Sequence, residues 1–129
     1  MPADYLKEGN DMDRKKELRE QYKQMKPAMG IFIIRCKLNN KCFLKTTQDL
    51  RGVMNGTLSR LQGGRHPNRE LIKEWIEFGE DNFEMEILQT LEYDKDETKT
   101  DYTAELEVMQ MLWEEKLSAE NKVLYKQRL

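Results

Sequence analysis

The sequence contains few of the features that stabilise secreted domains or anchor proteins in membranes. Its 129 residues include only two cysteines, which is too few for a disulfide scaffold and indicates a reducing compartment. No apolar run is long enough to cross a bilayer, and the N-terminus lacks the apolar core of a signal peptide. We therefore expect a cytoplasmic protein of one domain, with no membrane partner.

Charged residues make up 36% of the chain, but the two signs are distributed unevenly along it. Residues 30–75 contain nine Lys or Arg against three acids, a net charge of +6. Residues 76–129 contain fifteen acids against six bases, a net charge of −9. The basic part can attract phosphate, whereas the acidic part of greater magnitude repels it. A protein partner is therefore at least as consistent with the charge as a nucleic acid.

A β-hairpin is predicted early in the chain. Residues 31–36 and 41–47 have the composition of strands, and Asn39 and Asn40 suit the positive dihedral angles of a tight turn. If the loop has two residues, Cys36 faces Phe43, and Cys42 points to the opposite side of the sheet. The two cysteines should then not bond to each other, and with His66 as the only nearby soft ligand a zinc site is not expected. One face of the hairpin should carry Phe32, Ile34, Cys36, Phe43 and Lys45.

Residues 63–88 predict a helix followed by a strand. Asn68 is a suitable N-cap, and Gly79 is placed to end the helix in a left-handed conformation. After Gly79 the apolar period becomes two, because Phe83, Met85 and Ile87 alternate with Glu84 and Glu86, as in an antiparallel strand with one solvated face. The apolar face of the helix consists of Leu71, Ile72, Trp75 and Ile76.

Three further helices are indicated by apolar residues at helical spacing. The first lies within residues 13–26, where Leu18, Tyr22 and Met25 recur every three or four positions before Pro27. Another runs from residue 50 to residue 61, although two internal glycines weaken it. The last begins near Thr100 or Asp101, and its apolar positions are Leu106, Met109, Leu112, Trp113 and Leu117.

Parts of these segments resemble the GIY-YIG nuclease domain. Residues 64–88 carry its G-x-H-x-N and N-F-x-x-E-I-L patterns, while Gly30-Ile31-Phe32 and Phe43-Leu44-Lys45 stand for G-I-Y and Y-I-G. The resemblance implies an α/β fold in which a small three-stranded antiparallel sheet is flanked by helices. The implied domain spans residues 29–129, and residues 1–28 form an extension containing the additional N-terminal helix.

The resemblance also implies a set of site residues. Members of this family hydrolyse DNA phosphodiesters with one divalent metal on a helical glutamate, and two tyrosines, an arginine and a histidine assist. His66 is retained from the second half of the motif, either as a loop hydrogen bond or as a base. Glu107, one turn before the glutamate position, is the nearest replacement as metal ligand. At the other positions stand Phe32 and Phe43 for the tyrosines, Val53 for the arginine, Thr57 for the histidine and Gln110 for the glutamate.

Three hypotheses about function follow. The first is a degenerate nuclease-fold protein that serves as a binding or scaffold module without a cofactor. The second is an endonuclease with an unusual active site that uses Mg²⁺ or Mn²⁺. The third is a weak, non-specific nucleic-acid binder, whose basic face would consist of Lys37, Lys41, Lys45, Arg65 and Arg69.

Overall fold

The computed structural model describes residue 14 and residues 26–126. The N-terminal helix predicted within residues 13–26 therefore lies outside the described part, apart from residues 14 and 26. No helix among the described residues is long and apolar enough to cross a membrane. The elements are β1 (Met29–Cys36), β2 (Lys41–Thr47), α1 (Leu50–Gln62), α2 (Arg69–Phe78), a 3₁₀ turn (Glu80–Asn82), β3 (Phe83–Leu91), α3 (Thr103–Ala119) and β4 (Val123–Leu124).

The strands form one sheet in the order β3-β1-β2-β4. The central strand β1 pairs antiparallel with both β2 and β3, which confirms the predicted antiparallel sheet flanked by helices. The sheet has four strands rather than three, because the short β4 adds a parallel pair to the start of β2. The strand β4 is anchored by the residue that follows it, Tyr125. The Tyr125 side chain is buried, and its backbone N–H donates to the Cys42 carbonyl over 2.8 Å.

The hairpin register differs from the predicted one by two residues. Ile34 rather than Cys36 faces Phe43, because four residues connect the strands instead of two. Asn40 takes the positive φ of 60° and donates its N–H to the Cys36 carbonyl over 3.0 Å. A shift of two positions leaves each side chain on its face, since strand side chains alternate with period two. The prediction that Cys42 lies opposite Cys36 is therefore confirmed, and both cysteines are free.

The sheet separates two hydrophobic cores. Helices α1 and α2 cover one face, and α3 covers the other. The first core consists of Phe32, Ile34, Cys36, Phe43, Leu50, Leu61, Leu71, Trp75, Phe83 and Tyr125. The second core consists of Met29, Ile31, Ile33, Cys42, Leu44, Tyr102, Leu106, Met109 and Leu117.

Helix α2 begins and ends where its local sequence predicts. The Asn68 side chain accepts the Leu71 N–H over 2.9 Å, so the predicted N-cap is confirmed. Gly79 ends the helix with φ at 91°, a value that residues other than glycine rarely adopt. Between these caps, Leu71 and Trp75 are buried against the sheet.

We expect the Trp75→Ala substitution to destabilise the fold by about 3 to 5 kcal/mol, the usual cost of truncating a buried tryptophan. The Trp75 ring is 8% exposed and lies 5.0 Å from the Phe83 ring centroid. Urea titration measures the free energy of unfolding of the wild type and of each variant. Ile76→Ala is the matched control, because this neighbour is 69% exposed and should change stability by no more than about 0.5 kcal/mol. Equal stabilities for the two variants would contradict the packing of α2.

Candidate functional site

The two aromatic positions of the strand motifs lie inside the first core. Phe32 on β1 is completely buried, and Phe43 on β2 is 8% exposed. The Phe43 ring meets the His66 ring edge to face, with centroids 5.2 Å apart. Lys45 is the strand partner of Phe32 and is exposed. Both rings belong to the first core, and neither ring supplies a hydroxyl group.

Helix α1 contributes two uncharged residues to the same side of the sheet. Val53 is half-buried and packs against the first core. Thr57 is completely buried, and its Oγ1 has no hydrogen-bond partner. Neither side chain can compensate the charge of a phosphate. The nearest guanidinium on the first turns of this helix belongs to Arg51, which is exposed.

His66 is held as a neutral ring in the loop before α2. It is 7% exposed, and its Nδ1 accepts the Asn68 N–H over 3.0 Å. Burial, which is the largest cause, and the positive charges of Arg60 and Lys45 together lower the pKa of His66 to about 4. Because Nδ1 accepts a hydrogen bond, the single ring proton is on Nε2. The ring therefore offers a donor, and not a proton acceptor, to any other group.

The candidate metal ligand lies on the helix that covers the opposite face of the sheet. Glu107 of α3 is exposed and lines a surface pocket together with Thr46, Thr47 and Gln48 from the end of β2. Gln110 donates its side-chain N–H to the Glu114 carboxylate over 3.2 Å. The structure thus groups Phe32, Phe43, Val53 and His66, and places Glu107 and Gln110 on α3.

The donors present do not fit the divalent metal that the sequence resemblance implies. No three His, Cys, Asp or Glu side chains are grouped to hold a metal within the described part of the chain. Glu107 supplies a single exposed carboxylate, and the neighbouring Gln110 supplies an amide instead of a second charge. A cation such as Mg²⁺ needs several oxygen ligands, and one exposed carboxylate does not hold it.

Two of the five residues of the predicted basic face are neutralised by carboxylates. The Lys41 Nζ lies 3.0 Å from Glu74 Oε2 and 3.6 Å from Glu70 Oε2. The hydrogen bond to Glu74 raises the pKa of Lys41. Lys37 lies 3.9 Å from the Glu84 carboxylate, a weaker and more exposed pair. Lys41 in particular belongs to a structural cluster and does not offer a free charge to a ligand.

Three other cations keep their charge uncompensated. Among the described residues no carboxylate lies within 4.0 Å of Lys45, Arg65 or Arg69. Arg60, which the sequence reasoning did not include, is equally unpaired and acts electrostatically on His66. Its position one helical turn after Thr57 is the signal that could have identified it. The unpaired cations of this part of the described surface are therefore Lys45, Arg60, Arg65 and Arg69.

We expect the imidazole of His66 to titrate with a pKa of about 4 instead of the usual value of about 6.5. His66 is the chain's single histidine, so an NMR titration follows its ring without ambiguity. The unfolded chain binds the proton near pH 6.5, whereas the folded chain binds it only near pH 4. The stability contributed by the neutral ring is therefore fully present above about pH 6.5 and is lost as the pH falls through this window.

The Lys45→Met substitution should raise the pKa of His66, because it removes one of the positive charges that lower it. Lys95→Met, in the loop before α3, is the control and should leave the titration unchanged. A wild-type ring that titrates near its usual pKa would show that His66 is solvated and that its hydrogen bond to Asn68 is not formed.

Comparison with known proteins gives a structural likeness and no sequence match. No family model and no curated protein sequence matches the chain. The catalytic domain of homing endonuclease I-TevI superposes with a TM-score of 0.58 at 22% identity, covering 77% of this chain and 99% of that one. A glutamate-to-alanine mutant of the catalytic domain of intron endonuclease I-TevI gives a TM-score of 0.57 at 23% identity, covering 77% and 92%. The chain therefore has a mixed α/β fold similar to that of a GIY-YIG catalytic domain.

Proposed function

We propose that this protein is a non-catalytic binding module built on the GIY-YIG nuclease fold. The observation that carries the proposal is the burial of Phe32 and Phe43 in the first core, where the fold would otherwise place hydroxyl groups at a reactive cleft. These rings preserve the packing of β1 and β2 and supply no atom that could hold a water molecule. The fold is thereby retained while the chemistry is removed.

Phosphodiester hydrolysis also needs groups that stabilise the charge developing on the phosphate. Val53 and Thr57 occupy the helix α1 positions from which such groups would act, and neither carries a charge. The single exposed carboxylate of Glu107 does not hold a divalent cation by itself. Each missing donor commonly costs about 10²- to 10³-fold in rate. Several coincident losses are not recovered by one compensating residue, even when their effects are not additive.

The competing function is an endonuclease with a rearranged active site. It would need Lys45 and Arg51 to bind the phosphate, His66 to act as base and Glu107 to hold the metal. The Nδ1 atom of His66 is occupied by the Asn68 N–H, so the ring has no free acceptor for a proton. Glu107 lies on α3, on the opposite side of the sheet from the Phe43–His66 pair. The occupied Nδ1 of His66 and the position of Glu107 favour the non-catalytic function.

The purified protein should therefore leave supercoiled plasmid intact in the presence of Mg²⁺ or Mn²⁺. An active endonuclease assayed in parallel shows that the plasmid and the metal support nicking. Relaxation of the plasmid by wild type, lost in Glu107→Ala and kept in Glu115→Ala, would establish a nuclease and contradict the proposal. Glu115 is the matched control because it is an exposed acid on the same helix.

A second candidate function is weak binding of nucleic-acid phosphates, and the unpaired charges of Lys45, Arg60 and Arg65 favour it. Arg60 and Lys45 both act electrostatically on the His66 imidazole, so both cations lie on the surface around this ring. No base-reading element is required for such contacts, which give affinity without sequence preference. The Lys37 and Lys41 side chains contribute less, because carboxylates already neutralise them.

We expect dissociation constants of about 10⁻⁴ to 10⁻⁶ M for DNA or RNA at physiological salt, weakening steeply as salt rises. Fluorescence anisotropy with labelled oligonucleotides measures them. The Lys45→Glu, Arg60→Glu double variant should weaken binding at least about tenfold and reduce the salt slope. The Lys95→Glu, Lys122→Glu variant changes the net charge equally and should have a smaller effect. A tight complex that is insensitive to salt would contradict this binding mode.

A further inference from the structure

Helix α3 is apolar on two sides. Its inner side packs Leu106, Met109 and Leu117 into the second core. Its outer side carries an apolar strip, which consists of Val108, Met111 and Leu112 with exposed fractions of 55%, 62% and 60%. Their spacing of three and four positions places them on neighbouring turns of one surface. A helix with apolar residues on both sides usually has a second partner.

The chain that precedes β1 enters the domain beside the start of α3. The Tyr93 hydroxyl donates to the Pro27 carbonyl over 2.6 Å, and the Lys26 ammonium lies 4.9 Å from the centroid of the Tyr93 ring. Tyr93 in turn meets Tyr102 edge to face, with centroids 5.5 Å apart. Tyr102 immediately precedes the first residue of α3 and belongs to the second core. Lys26 and Pro27 therefore lie at the face of the sheet that α3 covers.

The length and charge of the upstream segment match α3. Residues 13–26 would span about 20 Å as a helix, and the seventeen residues of α3 span about 25 Å. The segment contains six bases and three acids, a net charge of +3. Helix α3 contains four acids and one base, a net charge of −3. The apolar side predicted for the segment is formed by Leu18, Tyr22 and Met25.

We propose that residues 13–25 form an amphipathic helix that docks intramolecularly on the outer apolar strip of α3. Because the segment joins the domain at the start of α3, it runs antiparallel to that helix. Leu18, Tyr22 and Met25 cover the strip, and the surrounding lysines and arginines face the α3 glutamates. The short tether through Lys26 makes docking effectively unimolecular, so a small contact area is sufficient.

A second copy of the chain is the competing occupant, and the charges disfavour it. Two α3 helices packed on each other would bring together two surfaces of net charge −3. The strip has only three residues, whereas a stable interface commonly buries about 800 Å² on each partner. The basic segment of the same chain complements the charge of α3, and its tether through Lys26 makes a smaller contact area sufficient.

The test uses the full chain and two variants. In each variant a lysine replaces one apolar residue, and the two residues are similarly exposed but lie on opposite sides of the sheet. Leu112→Lys disrupts the outer strip of α3, and Ile76→Lys is the matched control on α2, where Ile76 is 69% exposed. Chymotrypsin cleavage of the Tyr22–Lys23 bond reports whether the segment is docked. Wild type and Ile76→Lys should be cleaved at equal rates, and Leu112→Lys at least about tenfold faster, the factor given by about 1.4 kcal/mol of docking free energy.

Two further measurements identify the occupant of the strip. A nuclear Overhauser contact between the Tyr22 ring and the methyl groups of Val108 or Leu112 in the monomeric wild type would support intramolecular docking directly. Equal cleavage of all three proteins would overturn the proposal. A wild-type dimer in sedimentation equilibrium that Leu112→Lys dissociates would also overturn it, in favour of a second copy.

Discussion

The structure depends on the burial of β1 from both faces. Alternate residues of this strand enter different cores, so a single segment of eight residues fixes the positions of the helices on either side. Position 30, near the start of β1, tolerates only glycine, because a Cβ on Gly30 would lie 2.0 Å from the Gln89 carbonyl oxygen. The register shift of β3 beside Ile31 and Phe32 accommodates this close approach.

The same constraint supports the proposed non-catalytic function. The aromatic positions on β1 and β2 serve the packing of the first core as well as the site, and phenylalanine fulfils only the first of these roles. Replacing a phenol by a phenyl ring keeps the packed volume almost unchanged, so the core has no reason to rearrange. Val53 and Thr57 extend this apolar surface along α1. Phe32 and Phe43 are members of the first core, and Val53 packs against it.

The role of each charged side chain depends on whether a carboxylate pairs with it, and not on how many charges its segment contains. Glu74 accepts hydrogen bonds from the side chains of Asn39, Lys41 and Tyr125 and so connects α2, the hairpin loop and the C-terminal edge of the sheet. Burial and the hydrogen bond to Glu74 both raise the pKa of Tyr125. Lysine at position 41 thus stabilises the fold, whereas the unpaired Lys45, two residues further along β2, remains available to a ligand. Proximity in sequence does not make two cations equivalent.

The sequence by itself determined the features that depend on neighbouring residues. The bounds of β2, the Asn68 cap and the Gly79 stop follow from local propensities, and the alternation of Phe83 and Met85 follows from the side-chain period of a strand. The strand β1 begins at Met29, before its predicted start at residue 31, and Ile87, predicted on the apolar face of β3, is 47% exposed. Tertiary structure decided what depends on contacts between distant segments. The four-residue loop, the β4 pair anchored by Tyr125, and the capture of Lys41 by Glu74 are examples, because each joins residues whose approach no local pattern encodes. The positions of the candidate site residues were readable from motif spacing, whereas their burial, protonation and pairing were set only by the packing of the two cores.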